Sequence, residues 1–129
     1  MSNDIADSMD GPDLRVPLHV VADLVFSQET DPDVVSLSGV TTDLSESGMR
    51  VALAGTVPEG TLLSIRLHLP DDQIYVCGGR VIRTGTNPPG TGNSSHWVAV
   101  KFANVSTELR GCLRRCLWDV QRDLRFRRA

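Results

Sequence analysis

Hydrophobic and polar residues alternate in six segments of the chain, and a period of two residues is typical of β-strands with one buried face. The alternation is clearest in the first segment, where Val16, Leu18 and Val20 share a face that continues to Phe26. Glycine, proline, asparagine and aspartate separate the segments, as expected for turns. The predicted strands cover residues 16–26, 34–42, 49–53, 62–69, 73–83 and 96–103. Polar residues at 27–33 predict a hairpin loop, residues 84–95 predict a second loop, and we expect a bend at Gly78-Gly79.

The last segment has a period of three to four residues, which predicts an amphipathic helix from about residue 106. Ser106 is a favourable N-cap, and Glu108 in the first turn suits the helix dipole. Gly111 inside the helix costs about 1 kcal/mol relative to alanine, and a close contact between helix and strands would explain it. Six short strands and one helix predict a mainly β fold, a small six-stranded antiparallel barrel whose helix covers an edge or an open end.

Composition is that of an ordinary globular protein of one domain. The chain has 129 residues, of which 40% are hydrophobic and 22% charged, and its net charge is −3. Residues 1–13 hold four aspartates and no basic residue, so we expect a flexible acidic tail before a folded unit over 14–129. No apolar run reaches the roughly 18 residues of a membrane span, no secretory signal is recognisable and the three cysteines are an odd number, which together predict a cytoplasmic protein.

Positive charge is concentrated in the predicted helix, where seven arginines accompany three acidic residues over 106–129. This is either a solvated helix face or a surface for an anion or an acidic partner. A nucleic-acid interface is disfavoured, because the basic segment is short, the whole chain is acidic and only 5% of its residues are aromatic. The apolar stripe of the helix continues to Leu124 and Phe126, which leaves a homodimer or a docked protein partner open.

A polar motif stands at the predicted turn between the second and third strands, Asp43-Leu44-Ser45-Glu46-Ser47-Gly48. Asp43 and Ser45 are two residues apart, so on an extended backbone they project from the same face. Glycine at position 48 suits a special backbone conformation or a close approach to the backbone. The motif is therefore either a capped turn or a small polar ligand site on the outside of a sheet.

Together with a second feature, this motif resembles the PilZ domain family, the bacterial receptors for cyclic di-GMP. The family pattern is Arg-x-x-x-Arg before the first strand and (Asp/Asn)-x-Ser-x-x-Gly after the second. The second half is complete here as Asp43, Ser45 and Gly48. The first half is incomplete, because Arg15 in Leu14-Arg15-Val16-Pro17-Leu18 matches the second arginine while Gly11 stands at the position of the first. The resemblance implies a six-stranded barrel with a C-terminal helix.

The resemblance also implies a ligand, cyclic di-GMP, and assigns Arg15, Asp43, Ser45 and Gly48 to it. The chemistry is suitable: the guanidinium fork matches phosphate oxygens and the O6/N7 edge of guanine, whereas a carboxylate accepts from the N1–H and amino edge. Three strand arginines are weaker ligand candidates: Arg50, Arg80 and Arg83. Because a charge-assisted hydrogen bond contributes about 1.5–3 kcal/mol, the missing arginine predicts binding roughly ten- to a hundredfold weaker than that of a complete relative.

Catalytic and metal chemistry are not predicted. Ser45 has an acid nearby, but no histidine can be placed beside it as a base. The histidines are scattered without the spacing of metal ligands, and the cysteines fit buried positions in a strand and a helix stripe. These residues are His19, His68 and His96, and Cys77, Cys112 and Cys116. We therefore expect no enzymatic activity, no metal and no cofactor.

Two functions remain open. One is a cyclic di-GMP receptor that changes its surface on binding and signals to a separate downstream protein. The other is a degenerate member of the same family that binds no nucleotide and serves as a protein-interaction adaptor. The incomplete arginine motif favours the adaptor, and the complete set of Asp43, Ser45 and Gly48 favours the receptor.

Overall fold

The structure, a computed structural model, describes residues 15–28, 31–87 and 95–128. The predicted acidic tail and the part of the predicted loop at 88–94 lie outside these residues, as do the side chains of Leu124 and Phe126. Six strands and a helix are present: β1 (Val21–Gln28), β2 (Asp31–Leu44), β3 (Gly48–Leu53), β4 (Leu62–His68), β5 (Ile74–Thr86), β6 (His96–Ala103) and α1 (Thr107–Arg128).

All strand pairs are antiparallel, in the order β1-β2-β3-β6-β5-β4, and β1 also pairs with β4 to close a barrel. This confirms the predicted fold class. The inward side chains come from alternate strand positions, as in the exposed–buried pattern along β4. In this order β3 lies on the opposite side of the barrel from β4.

The first strand begins at Val21 and not at residue 16, although the alternation is continuous through both. A side chain explains the difference. The buried Thr41 hydroxyl donates to the Leu18 carbonyl (2.6 Å) and accepts from the Val20 N–H (2.8 Å), so it replaces a backbone partner. Only Val16 forms a bridge, with Leu44 at the end of β2. The hairpin loop predicted over 27–33 is also shorter, because β1 extends to Gln28 and β2 begins at Asp31.

The predicted bend at Gly78-Gly79 is wrong in position. The register of β5 against β6 shifts between Val81 and Arg83 instead, where a residue is inserted into β5. Gly79 serves the interior of the barrel, because a Cβ there would lie 2.5 Å from Ile65 Cδ1. Its lack of a side chain therefore reflects packing and not a bend.

The helix packs its apolar stripe on the barrel. Leu109, Leu113 and Leu117 are at most 1% exposed, and Ser106 caps the helix by accepting the Leu109 N–H at 3.1 Å. The close contact between helix and barrel that would have explained Gly111 is not found, since a Cβ there would meet open space. Within the described residues, no helix has the length and apolar character required to cross a bilayer.

The cysteines take packing positions. Cys77 and Cys112 are buried, and Cys116 packs partly buried against the core. Burial raises the pKa of the Cys77 thiol to about 11, so it stays protonated at neutral pH. The Cys112 thiol donates to Asp71 Oδ2 at 3.3 Å, which links the helix to the turn after β4.

Candidate ligand-binding face

The turn between β2 and β3 is closed by the Ser45 side chain. The Ser45 hydroxyl donates to the Gly48 carbonyl and accepts the Gly48 N–H, both at 3.1 Å, and the Ser45 N–H donates to the same carbonyl at 2.9 Å. Ser45 is fully buried, whereas the neighbouring Asp43 side chain is 25% exposed. The expectation that Asp43 and Ser45 share an outer face is therefore wrong, because the strand ends at Leu44 and the chain turns inward.

Gly48 is required by the packing of two strands. A Cβ at this position would overlap the carbonyl oxygen of Val100 on β6. The close approach that the glycine permits is thus an approach of β6, its neighbour in the barrel. Direct contact of Ser45 and Gly48 with a ligand stays a prediction, and the geometry gives both residues a role in shaping the turn.

Arg15 and Asp43 meet on the outer surface. Arg15 Nη1 donates to Asp43 Oδ1 at 2.8 Å, and the two side chains are 51% and 25% exposed. The adjacent backbone bridge holds this geometry, since Val16 N–H donates to the Leu44 carbonyl (3.1 Å) and Leu44 N–H returns to the Val16 carbonyl (2.9 Å). Val16 and Leu44 point into the core, whereas the preceding residue of each, Arg15 and Asp43, is directed outward.

Arg50 lies directly across from Asp43 in the β2–β3 pair. Its guanidinium carbon lies 3.8 Å from the centroid of the Trp97 ring, a cation–π contact. Ala99 on β6 pairs with Arg50 on one side and with Arg83 on the other. Asp43, Arg50, Ala99 and Arg83 thus form one outward row across four strands.

The other predicted arginines are farther from Asp43. Two strand spacings separate Arg83 from Arg50, roughly 10 Å at about 4.8 Å each. Arg80 lies in the next outward row, where Lys101 pairs with it and with Gly48. The structure therefore brings Arg15, Asp43 and Arg50 together and leaves Arg80 and Arg83 at the margin.

The electrostatic character of this face is positive. None of β3, β5 and β6 contains an acidic residue, while their outward positions include Arg50, Arg80, Arg83 and Lys101. Asp43, at the end of β2, is the carboxylate of the row that crosses this face. The arrangement suits an anionic ligand that also offers hydrogen-bond donors to a carboxylate.

Two features of this site were missed by sequence reasoning. The first is the stack of Arg50 on Trp97. Alternation directs Trp97 and Lys101 outward, because Val98, Val100 and Phe102 point inward, but the residue that Trp97 contacts depends on strand register. The second feature is an ion pair between the motif turn and the helix. Arg114 Nη2 donates to Glu46 Oε1 at 3.0 Å, and hydrogen bonds to Glu46 raise the pKa of Arg114 above its ordinary value.

Within the described residues, no group of three or more His, Cys, Asp and Glu side chains is arranged to hold a metal ion. The features that stand out are instead a closed six-stranded barrel, a C-terminal helix and an outer face with a carboxylate among guanidinium groups. Together they define a β-barrel domain with a surface suited to an anion.

The chain belongs to the PilZ domain family, whose model matches residues 13–118. This confirms the resemblance inferred from Arg15, Asp43, Ser45 and Gly48, and places the protein in a family of cyclic di-GMP receptors. No curated protein sequence matches the chain significantly.

Solved structures with the same fold include several PilZ proteins. The PilZ domain of YcgR from Escherichia coli, determined with c-di-GMP, superposes with a TM-score of 0.65 at 17% identity over 88% of this chain and 92% of that one. The Bacillus subtilis inhibitor of motility MotI/DgrA gives 0.66 at 16% identity over 88% of this chain, which spans 50% of its length. A tetrameric PilZ protein from Xanthomonas campestris gives 0.61 at 15% identity over 95% and 99% of the two chains. At these identities the likeness establishes the fold alone.

Proposed function

We propose that this protein is a non-enzymatic receptor that binds cyclic di-GMP on the outer face around Arg15 and Asp43 and signals to a separate partner protein. The observation that carries the proposal is the contact between these two side chains, 2.8 Å across residues that are 28 positions apart in the chain. It joins the two halves of the family motif at one place on the surface.

The Arg15–Asp43 pair can be opened by a ligand at small cost. Exposed ion pairs contribute about 0.2–1 kcal/mol, whereas each hydrogen bond between a ligand and a charged group contributes about 1.5–3 kcal/mol. The Arg15 fork would turn to a phosphate or to the O6/N7 edge of guanine, and Asp43 would accept from the N1–H and amino edge. One ligand thereby satisfies both members of the pair.

The charge of the surrounding strands supports the same ligand. Cyclic di-GMP carries two phosphates, and β3, β5 and β6 offer four cationic side chains without an acidic residue. Such a face draws an anion toward the site and favours its bound state. Arg80 and Arg83 stay candidates for this longer-range role, and Ser45 and Gly48 support the site through the turn.

The signalling step would begin with a movement of Arg15. Reorientation of Arg15 releases it from Asp43 and changes the outer surface that a partner contacts. We expect this to occur in the cytoplasm, without catalysis and without a cofactor. Light scattering coupled to size exclusion, with and without the dinucleotide, would measure the oligomeric state.

Titration calorimetry of the full chain with cyclic di-GMP tests the proposal. We expect saturable heat for the wild type, at least tenfold weaker binding for Arg15→Ala and Asp43→Ala, and unchanged binding for Arg66→Ala. Arg66 is a matched control, because it is an exposed strand arginine on β4, across the barrel from β3.

No heat and no thermal shift for the wild type at hundreds of micromolar would refute the receptor and leave the adaptor. The adaptor is favoured by one observation, Gly11 at the position of the first motif arginine. In that case pull-down of a partner would be the same with and without the dinucleotide.

A further inference from the structure

The N-terminal motif lacks one guanidinium, but the barrel wall supplies another. We propose that Arg50, held against Trp97, serves as the second arginine of the site and makes up for Gly11. This rests on the proposed function, because it assigns a further contact to the same dinucleotide.

The first support is position. Asp43 has Arg15 on one side at 2.8 Å and Arg50 as its direct cross-strand partner on the other. Directly opposed residues of an antiparallel pair have Cβ atoms about 4.5–5.5 Å apart. The residues that flank Arg50, Met49 and Val51, are buried, so Arg50 points outward as Asp43 does. One ligand on this surface can therefore touch all three polar side chains.

The second support is the way that the indole holds the guanidinium. Trp97 lies over Gly85, where a Cβ would overlap indole Cζ2 and lie 2.7 Å from Nε1. Any larger residue at position 85 would displace the ring. The guanidinium carbon of Arg50 then lies 3.8 Å from the ring centroid. Ordering Arg50 in the unbound protein reduces the conformational entropy that a ligand must remove on binding.

The third support is that the stacked guanidinium keeps its hydrogen-bonding capacity. A cation–π contact uses the face of the guanidinium plane, whereas its N–H donors point outward along the edge. Arg50 stays partly exposed, and within the part of the chain that the structure describes it forms no ion pair. The donors can thus meet a phosphate or the O6/N7 edge of guanine while the stack persists.

Arginine, and not merely positive charge, is needed for this role. A lysine ammonium is a compact point charge without a planar fork, so it would lose both the stack on Trp97 and bidentate contact with the ligand. Trp97 is a positioning residue, since it orients Arg50 without contacting the ligand itself. Phenylalanine at position 97 would keep an aromatic face, whereas leucine would not.

Calorimetry of full-length variants with cyclic di-GMP tests the assignment. We expect Arg50→Ala to weaken binding about ten- to a hundredfold, in line with one charge-assisted hydrogen bond, and Arg50→Lys to recover only part of the loss. Trp97→Leu should weaken binding by part of this amount, and Trp97→Phe, which keeps an aromatic face, should bind like the wild type. Arg66→Ala is the control, and equal melting temperatures of the Arg50 variants exclude unfolding.

A rescue experiment tests the compensation itself. Adding Gly11→Arg to the Arg50→Ala variant should return binding toward the wild-type value, because the motif arginine then supplies the missing guanidinium. If the wild type binds and Arg50→Ala binds equally well, the assignment is wrong and the receptor stands. If Arg50→Lys binds like the wild type, the specific role of the fork is refuted. If the wild type does not bind, the proposed function itself fails.

The intrinsic fluorescence of Trp97 gives an independent readout. The chain has two tryptophans, so Trp118→Phe leaves Trp97 as the only one. Titration with cyclic di-GMP should change the fluorescence emission of this variant, and the apparent affinity should equal that from calorimetry. The change should vanish in the Arg50→Ala background. An unchanged emission at saturating dinucleotide would show that the ligand does not engage the guanidinium stacked on Trp97, and it would overturn the assignment.

Discussion

The Arg114 side chain on α1 donates to both carboxylate oxygens of Glu46, a residue within the motif turn between β2 and β3. The two residues are 68 positions apart in the chain. The turn that presents Asp43 is therefore tied to the helix as well as to its own strands. This connection gives Arg114 a local structural role besides solvation.

Removal of this ion pair should affect stability only slightly. Arg114 is exposed, so we expect Arg114→Ala to lower the melting temperature by a few degrees at low salt and by less at about 1 M salt, where charges are screened within roughly 3 Å. Arg110→Ala, one turn earlier on the same helix, is the control. A loss that is the same at both salt concentrations would show that Arg114 acts through packing.

Substitution of Ser45 separates the turn from the ligand. Ser45→Ala removes the buried acceptor of the Gly48 N–H, and an unpaired buried group costs about 1–3 kcal/mol, so we expect that loss in urea denaturation. The exposed Ser64→Ala on β4 should leave stability unchanged. If Ser45→Ala is equally stable but binds cyclic di-GMP more weakly, the hydroxyl contacts the ligand and not the turn.

Two glycines should respond oppositely to alanine. Gly48→Ala places a methyl group on the Val100 carbonyl, so we expect strong destabilisation or failure to fold. Gly111→Ala meets open space inside a helix, so we expect stabilisation of about 0.5–1 kcal/mol. Denaturant midpoints measure both, and a destabilised Gly111→Ala protein would show that the helix packs more closely than the structure indicates.

Asp23 should make the folded state sensitive to acid. The hydrogen bond from Ser38 (2.6 Å) and then the contact with His68 (2.9 Å) hold the pKa of Asp23 below its ordinary value. Stabilisation by a group with a depressed pKa is present above its unfolded value, about 3.9, and is lost as pH falls below it. Urea midpoints between about pH 6 and pH 3 should therefore fall less for Asp23→Asn than for the wild type.

The control for that experiment is Glu59→Gln, which alters an exposed carboxylate outside the strands. It should follow the wild-type acid profile. Equal profiles for Asp23→Asn and the wild type would mean that other carboxyl groups dominate acid unfolding.

Periodicity predicted the barrel well where backbone pairing alone decides the strand. The bounds of β6 agree with the prediction, 96–103, because alternation and flanking polar residues coincide there. The predicted start of β1 was wrong because the Thr41 hydroxyl, and not a backbone group, bonds to the Leu18 carbonyl and the Val20 N–H, and no local pattern predicts a side chain in that position.

The proximity of Arg15 and Asp43 was predictable from the sequence, whereas the burial of Ser45 was not. The motif placed Asp43 and Arg15 on the same surface, and the structure brings them to 2.8 Å. The burial of Ser45 depends on how tightly the turn folds onto β6, and the stack of Arg50 on Trp97 depends on the register of three strands. Both are consequences of long-range pairing, which a single sequence leaves undetermined.

Closure of the barrel limits how any partner can recognise this protein. Because β1 and β4 pair with each other, each of the six strands already has a hydrogen-bonded neighbour on both sides. Where both neighbours are paired, a partner cannot add a strand of its own, which is a common mode of peptide capture, and the backbone left for such pairing includes residues 34–39 of β2, which pair with β1 alone. Over the part of the wall that is paired on both sides, a partner can recognise only the shape and charge of the outward side chains.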